Sequence, residues 1–553
     1  MPRISLLVMF LTVSNMVFGQ WSSDPGENLD VFPEFDISDS YHGFTATGCG
    51  DGSVYITAYS KDTTLNISLL NADGFKVWNN GTIKVKHPAP YSIRSFTDNQ
   101  DNLFLYFPRH YSTIYGFDWV ILKISKQGEF CWGENGVNIS FPYLRQNSTP
   151  HKWAVNENGD VMLFSMQSST DSDRFYAIYR IDKDGYMSWG KEGLVLDDLE
   201  YPVQYVPRNI ITTSDGGILI LFQKDIGPYH ALNYEVYVRK YDQEGRKCWD
   251  KDPMIYRGWT PYNSINTYSD QNDGFFFSCG SSIIQHVNKN GSLLWEGEGV
   301  NLGDLLYWSP HPKLLGRNNS GDLLLQFQNF YQESSRNLRP FIQIVSESGD
   351  VLLPDGGVVV PIPEYQEYDF NYSWRFLSQL KGDSVYYFYS YPIKSVGVIE
   401  NEIMCYPTTF DQTPLWEKSL TIAQGLESRK SFTATSFVNR QSIIVWISTL
   451  ENGEVKIKAQ NMHTDGTLGN KSTSINAFHQ NMNHQVYFDS ANRTLVLPRE
   501  SPIGKYQLVS MTGKVIQEGQ VETVIPLSDF KSGLYIVWIW DGVNSVSQKI
   551  LFQ

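Results

Sequence analysis

Residues 175–189 read FYAIYRIDKDGYMSW. The first seven alternate in the manner of a half-buried strand, and Asp184-Gly185 suits the positive φ angles of a tight hairpin. Trp189 follows the glycine by four residues. The same offset recurs at Gly74–Trp78, Gly128–Trp132, Gly245–Trp249 and Gly291–Trp295. Three degenerate copies keep the register: Gly349–Leu353, Gln412–Trp416 and Gly466–Asn470. Successive turns lie 54, 57, 60, 46, 58, 63 and 54 residues apart, the signature of a repeated module.

Working outward from Trp189 exposes four strands per unit. His151–Val155 and Asp160–Met166 flank the Asn156–Gly159 turn, Phe175–Ile181 forms the third strand, and Tyr186–Leu196 is expected to carry Trp189 along the fourth. Second strands of other copies read SVYITAY from Ser53, NLFLYF from Asn102, GILILF from Gly217, GFFFSC from Gly274 and DLLLQF from Asp322. Several copies add a second glycine four residues after the tryptophan position, at Gly136, Gly193, Gly299 and Gly357. No amphipathic helix of three turns lies between these units. Four antiparallel strands repeated eight times predict an all-β fold, an eight-bladed β-propeller; the count is seven if the last, weakest unit is a linker. A β-solenoid is disfavoured because its coils are usually shorter than about 30 residues.

The Gly-x-x-x-Trp turn resembles the tryptophan docking motif of the pyrroloquinoline-quinone-like eight-bladed propellers. That resemblance implies that Trp78, Trp132, Trp189, Trp249, Trp295 and Trp416 lie flat between adjacent blades as structural docking residues. It rests on few positions and extends to architecture, not chemistry.

The first 19 residues read as a secretory signal: Arg3, an apolar run from Ile4 to Val13, and Val17-Phe18-Gly19 before Gln20. No later segment reaches the 18 apolar residues of a membrane helix, so no transmembrane segment is expected in the mature chain. The propeller is assigned to residues 20–484 and a separate C-terminal β-sandwich-like domain to 485–553. That segment runs KYQLVSMTGKVIQEG, VIPLSDFKSGLYIVWIWDG and SVSQKILFQ, a set of alternating strands and turns. It resembles the type A C-terminal sorting domain of the type IX secretion system of Bacteroidetes. Gly513-Lys514-Val515 matches the family's turn, Leu527, Gly533, Tyr535, Ile536 and Val537 its core, and Lys549-Ile550-Leu551 its closing strand; the usual Pro-Asn-Pro opening is replaced by Phe488-Asp489-Ser490. The resemblance implies export through the type IX machinery, processing by its sortase-like peptidase, and a secreted or cell-surface product.

The net charge of −15 repels phosphate backbones, and no basic stripe is visible along the chain, so nucleic acid is not an expected partner. Five cysteines form no CxxC pair and are expected to be buried, small apolar residues, including Cys131 and Cys248, which precede repeat tryptophans. The chain contains no HExxH, Walker A or GxSxG motif. Acid-rich stretches at Asp98–Asp101, Asp182–Gly185 and Asp270–Gly274 fall where the repeat needs hairpins, and read as turns rather than calcium loops. No metal or cofactor is expected. A sialidase-like reading expects a glycine-to-tryptophan offset of three at the repeat turn, where this chain has four, and a quinone dehydrogenase typically adds a pair of adjacent cysteines, where this chain has none.

Three long loops between second and third strands are rich in tyrosine beside Arg, His and Asn: Arg109–Trp119, Lys224–Tyr234 and Gln328–Pro340. This is the composition of a contact surface. Tyr111, Tyr115, Tyr229, His230, Tyr234, Tyr331 and Arg336 are therefore the candidate binding residues for a glycan or protein ligand. The competing reading has the same aromatics covering the blade ends. No catalytic residue is assigned; the alternative function is a propeller hydrolase, lyase or oxidoreductase with its site at the central channel.

Overall fold

The computed structural model describes residues 20–469 except 39–43, 79–80, 87–92, 111–116, 140–151, 169–173, 197–198, 200–204, 228–232, 260–264, 280–281, 304–311, 331–337, 364–375, 396–397 and 426, and beyond these 487–489, 494–496, 505–510, 515–520, 524–526, 533–540 and 545–552. The signal expected over residues 1–19 lies outside the described residues. The chain divides into two compact units, Met1–Asn470 and Lys471–Gln553.

The first unit is an eight-bladed propeller. Seven blades are four-stranded antiparallel sheets built from consecutive strands. The third, for example, consists of Lys152–Val155, Val161–Ser168, Arg174–Ile181 and Leu194–Val195. The eighth pairs Ser428–Ala434, Gln441–Thr449 and Val455–His463 with Leu29–Asp30 from the start of the chain, where Leu29 faces Ala459. The last repeat is therefore a blade and not a linker, and the ring closes by joining its two ends through one sheet. Neighbouring blades meet mainly through their first strands, which line the central axis. Second strands such as Val54–Tyr59, Phe275–Cys279 and Ile443–Ile447 are buried along their whole length and form the core between blades. Among the described residues no helix is long and apolar enough to cross a membrane.

The repeated turn explains the spacing. In all eight units a bridge flanks it, from Leu70↔Lys76 to Met462↔Leu468. The carboxylate of Asp182 accepts the Asp184 and Tyr186 N–H groups, closing the turn locally. Gly185 then adopts φ 92°, and a Cβ there would lie 2.9 Å from the ring of Trp132 in the preceding blade. The glycine and the tryptophan four residues on thus do not serve each other: each tryptophan packs onto the next blade's glycine. Indole Nε1 donors mark the same docking, from Trp78 to Lys126 O at 3.0 Å, Trp132 to Lys183 O at 3.1 Å and Trp295 to Glu347 O at 3.2 Å. The second glycine has its own cause, since a Cβ on Gly193 would lie 2.6 Å from the Ile178 carbonyl.

Two expectations are corrected. Trp189 lies in the connection after the Ile181↔Met187 bridge, and the fourth strand is only Leu194–Val195. Cys131 and Cys248 are exposed, whereas Cys49, Cys279 and Cys405 are buried; all five are free thiols. The reason is alternation: the docking tryptophan points inward, so the residue before it points out, as Val77, Leu294, Leu352 and Leu415 also do.

The second unit contains a three-stranded sheet, Tyr487–Asp489, Thr494–Val496 and Val524–Pro526, and a four-stranded sheet ordered Val515–Gln520, Lys505–Ser510, Gly533–Trp540 and Ser545–Phe552. Tyr506, Leu508 and Val537 are buried. Of the motif residues, Val515 opens an edge strand with its side chain exposed, Gly533 pairs with Phe552, and Tyr535 lies between Ser510 and Ile550. Gly513, Lys514 and Leu527 lie outside the described residues.

Candidate functional site

The eight first strands are Phe44–Gly48, Arg94–Thr97, Lys152–Val155, Tyr205–Thr212, Asn266–Ser269, Lys313–Arg317, Phe376–Lys381 and Ser428–Ala434. Together they contain eight Lys and Arg residues and no Asp or Glu, in a chain whose net charge is −15. These cations are invisible as a linear stripe because each blade contributes at most two of them, about 57 residues from the next.

Register places four of them near one end. Arg94 pairs with Tyr106, Lys152 with Phe164 and Lys313 with Gln326, the same level in blades two, three and six. Arg208 is the extra residue of a bulge between Pro207 and Asn209 in blade four, a device that re-aims a side chain. Since antiparallel pairing sets the start of a first strand beside the end of the second, this end of the channel is also the end from which the second-to-third loops leave. Arg94 and Lys313 are exposed, Lys152 is half-buried, and Arg208 is buried with its Nε donating to Gln223 Oε1. Burial, and then the charges of Arg94 and Arg208, hold the Lys152 ammonium below lysine's ordinary pKa. At the same level the remaining blades present Thr45, Asn209, Asn266, Leu377 and Phe432.

The remaining cations of these strands with described side chains are tied within the protein. Arg317 pairs with Glu347 at 2.8 Å, Lys381 donates to Phe437 O at 3.1 Å, and Arg429 reaches Asn401 O at 2.6 Å and Gln424 O at 2.7 Å. No ion pair involves Arg94, Lys152 or Lys313 among the described residues.

Of the loop residues singled out in the sequence, Tyr111, Tyr115, Tyr229, His230, Tyr331 and Arg336 lie outside the described residues. Tyr234 opens the third strand of blade four, opposite Asp225 and Gly258, and is 3% exposed, so its ring packs inside the blade. The acid-rich stretches act as turns: Asp98 accepts from the Gln100 and Asn102 N–H groups, and Asp270 from those of Asn272 and Gly274. A different group converges at the far end of the channel, where ligand atoms of Cys49, Asp51 and Asp101 lie within 4.8 Å of one another. The Nζ of Lys126 already sits 2.7 Å from both carboxylates and supplies the counter-charge there. On the same face a groove of about 400 Å³ between blades two and three is lined by Asp98, Lys123, Trp132, Glu157 and Lys183; Asp98 and Lys123 pair on its blade-two side at 3.5 Å.

No family model matches the chain, and no curated protein does. Solved structures similar to it include an ulvan lyase of a new polysaccharide lyase family (TM-score 0.37, 10% identity, 81% of this chain and 96% of that one). Others are an α-L-arabinofuranosidase of Fusarium graminearum (0.34, 12%, 59% and 98%) and an α-L-arabinanase of Penicillium chrysogenum (0.35, 14%, 59% and 99%).

Proposed function

We propose that this is a secreted or cell-surface propeller that binds an acidic glycan at the loop-bearing end of its channel. The observation that carries the reading is the set of first strands with eight cations and no acid, in a chain of net charge −15. Such a molecule repels a dense polyanion such as nucleic acid over most of its surface, while a glycan with single, spaced charges engages the basic channel alone. The sorting-domain resemblance adds a route: export through the type IX machinery, with residues 485–553 as the address and the propeller as cargo.

Two experiments test this. Binding of the propeller to glycan panels should be confined to carboxylated or sulfated members and should weaken steeply with salt; equal binding to neutral glycans would overturn it. In the native host, deleting residues 485–553 should hold the propeller in the periplasm, and unchanged export would sink the sorting assignment. A second reading, a lyase or hydrolase at the same place, is favoured by one feature. Lys152 is a lysine held below its ordinary pKa between two arginines, as a general base would be. Chain shortening of a bound glycan, lost in Lys152→Met, would support it.

A further inference from the structure

Four successive blades place a basic side chain at one register position of the third strand. Lys123 faces Phe104, Arg180 faces Met162, Lys240 faces Leu219 and His286 faces Phe276. Three of them are held closely by a carboxylate from the first turn of their own blade: Arg180 by Asp160 at 2.6 Å, Lys240 by Asp215 at 2.8 Å and His286 by Asp270 at 2.9 Å. Lys123 differs. It is only 7% exposed, yet its oxygen contacts among the described residues, Asp98 Oδ2 and the Lys183 carbonyl, both stand at 3.5 Å. A charge-assisted hydrogen bond closes to about 2.8 Å, so this buried ammonium has donor capacity to spare, and it lines the groove of about 400 Å³ between blades two and three.

The groove exists because this seam is not laced. At neighbouring seams the Gly50 N–H donates to Asp101 at 2.6 Å, Arg180 reaches the Gln243 carbonyl at 2.5 Å, and Ser214 donates to Asp273 through its N–H and its hydroxyl, both at 2.6 Å. Among the described residues no hydrogen bond joins the turn 98–102 of blade two to the turn 156–160 of blade three. The side chains of Asn99, Glu157, Asn158 and Asp184, which reach the groove from both sides, take no partner among the described residues. Carboxylates at Asp98, Glu157 and Asp184 disfavour an anion beside Lys123, while Lys123 and Lys183 disfavour a cation. A hydroxyl suits both, accepting from the ammonium and donating to a carboxylate.

We propose that this groove binds an uncharged polyhydroxylated unit, one or two pyranose rings in size, with Lys123 donating to one hydroxyl and the carboxylates accepting from its neighbours. The volume is that of a small-ligand site. The proposal goes beyond the acidic-glycan reading, because this site lies at the opposite end of the channel and its ligand carries no charge. A ligand of about a dozen heavy atoms binds with roughly millimolar strength. That is too weak to retain a neutral chain on a washed panel, so the charge test of the channel is unaffected.

The protein carries its own probe. Cys131 is an exposed thiol on the groove, and Cys248, its counterpart in blade four, is an exposed thiol outside it. Alkylation of the full chain by iodoacetamide is followed at each cysteine by peptide mass spectrometry, with and without glucose, galactose, mannose or xylose at about 50 mM, well above a millimolar Kd. At least one sugar should slow Cys131 by about 5-fold or more and leave Cys248 unchanged, while the buried Cys49, Cys279 and Cys405 stay unreacted and report an intact fold. Glucuronate should protect less than glucose. Lys123→Arg keeps the charge and supplies the longer arm with which Arg180 bridges the next seam, and should abolish the protection; Glu157→Ala, on an exposed turn, should weaken it without touching the core. The site is overturned if none of the four sugars slows Cys131, if Cys131 and Cys248 slow alike, if glucuronate protects as well as glucose, or if both variants keep full protection.

Discussion

Trp21 lies against Gly74: its indole Nε1 donates to the Ala72 carbonyl at 2.8 Å, and a Cβ on Gly74 would come within 2.9 Å of its ring. This is the docking made by Trp78 on Gly128, Trp132 on Gly185 and Trp416 on Gly466. The eighth repeat ends in Gly466–Asn470 and has no tryptophan at the docking position. The start of the chain supplies it, along with the strand Leu29–Asp30 that completes the same blade. Trp21 is 5% exposed.

Trp21→Ala should therefore cost about 3–5 kcal/mol, the usual loss for emptying a buried tryptophan site. Because the contact joins the two ends of the ring, the thermal transition should also broaden. Trp189→Ala, a half-exposed equivalent inside the ring, should cost less. Calorimetry of the two variants distinguishes the cases.

Where the docking tryptophan is missing, the glycine is missing too. Leu353 replaces it in blade six, and the turn it faces carries Gln412 at φ 72°. That side chain is used, with Tyr387 donating to its Oε1 at 2.7 Å. Leu353→Trp alone should overpack the seam and destabilise by about 1–3 kcal/mol. Adding Gln412→Gly should return part of that loss, although Gln412→Gly alone forfeits a hydrogen bond. A double-mutant cycle by denaturant unfolding reads the coupling; additivity would separate the two positions. Conversely, Gly185→Ala meets both the ring of Trp132 and a strained φ, and should cost about 2–4 kcal/mol.

The Asp51–Lys126–Asp101 cluster gives a pH dependence. Burial pushes the Asp51 carboxyl up, but hydrogen bonds from Lys126 and Ser53 outweigh it and hold the pKa at about 2, below the ordinary 3.8. A depressed folded pKa contributes stability above the ordinary value and loses it as pH falls toward 2. The Asp51 side chain is 53% exposed, so solvent screening leaves less than about 1 kcal/mol. Lys126→Met should lower stability by that amount at neutral pH, and the difference from wild type should vanish at the acid end of an unfolding series.

Lys152→Met should have the opposite effect on stability. Burial, and then Arg94 and Arg208, disfavour the charged lysine in the folded state, so removing its charge should raise the unfolding free energy, by up to about 1 kcal/mol at neutral pH. The gain should shrink as pH rises and Lys152 in the wild type gives up its proton. A variant more stable yet weaker in anion binding is the mark of a site held together against repulsion.

The repeat was legible because it is local. A hairpin turn, its glycine and the following tryptophan fall within eight residues, and the buried second strands between Ser53 and Phe327 announce themselves by composition. From these the chain by itself determined an all-β fold of eight like units followed by a different β module. What each residue touches was decided only in three dimensions, because a propeller buries its side chains between units and not within them. The docking of Trp21 on Gly74 spans 53 positions in sequence, and ring closure joins Leu29 to Ala459. Exposure at Cys131 and Cys248 followed from the alternation of a turn that its composition concealed. The channel is the same lesson in charge: Arg94, Lys152 and Arg208 are unremarkable in their own segments, and only the ring sets them side by side.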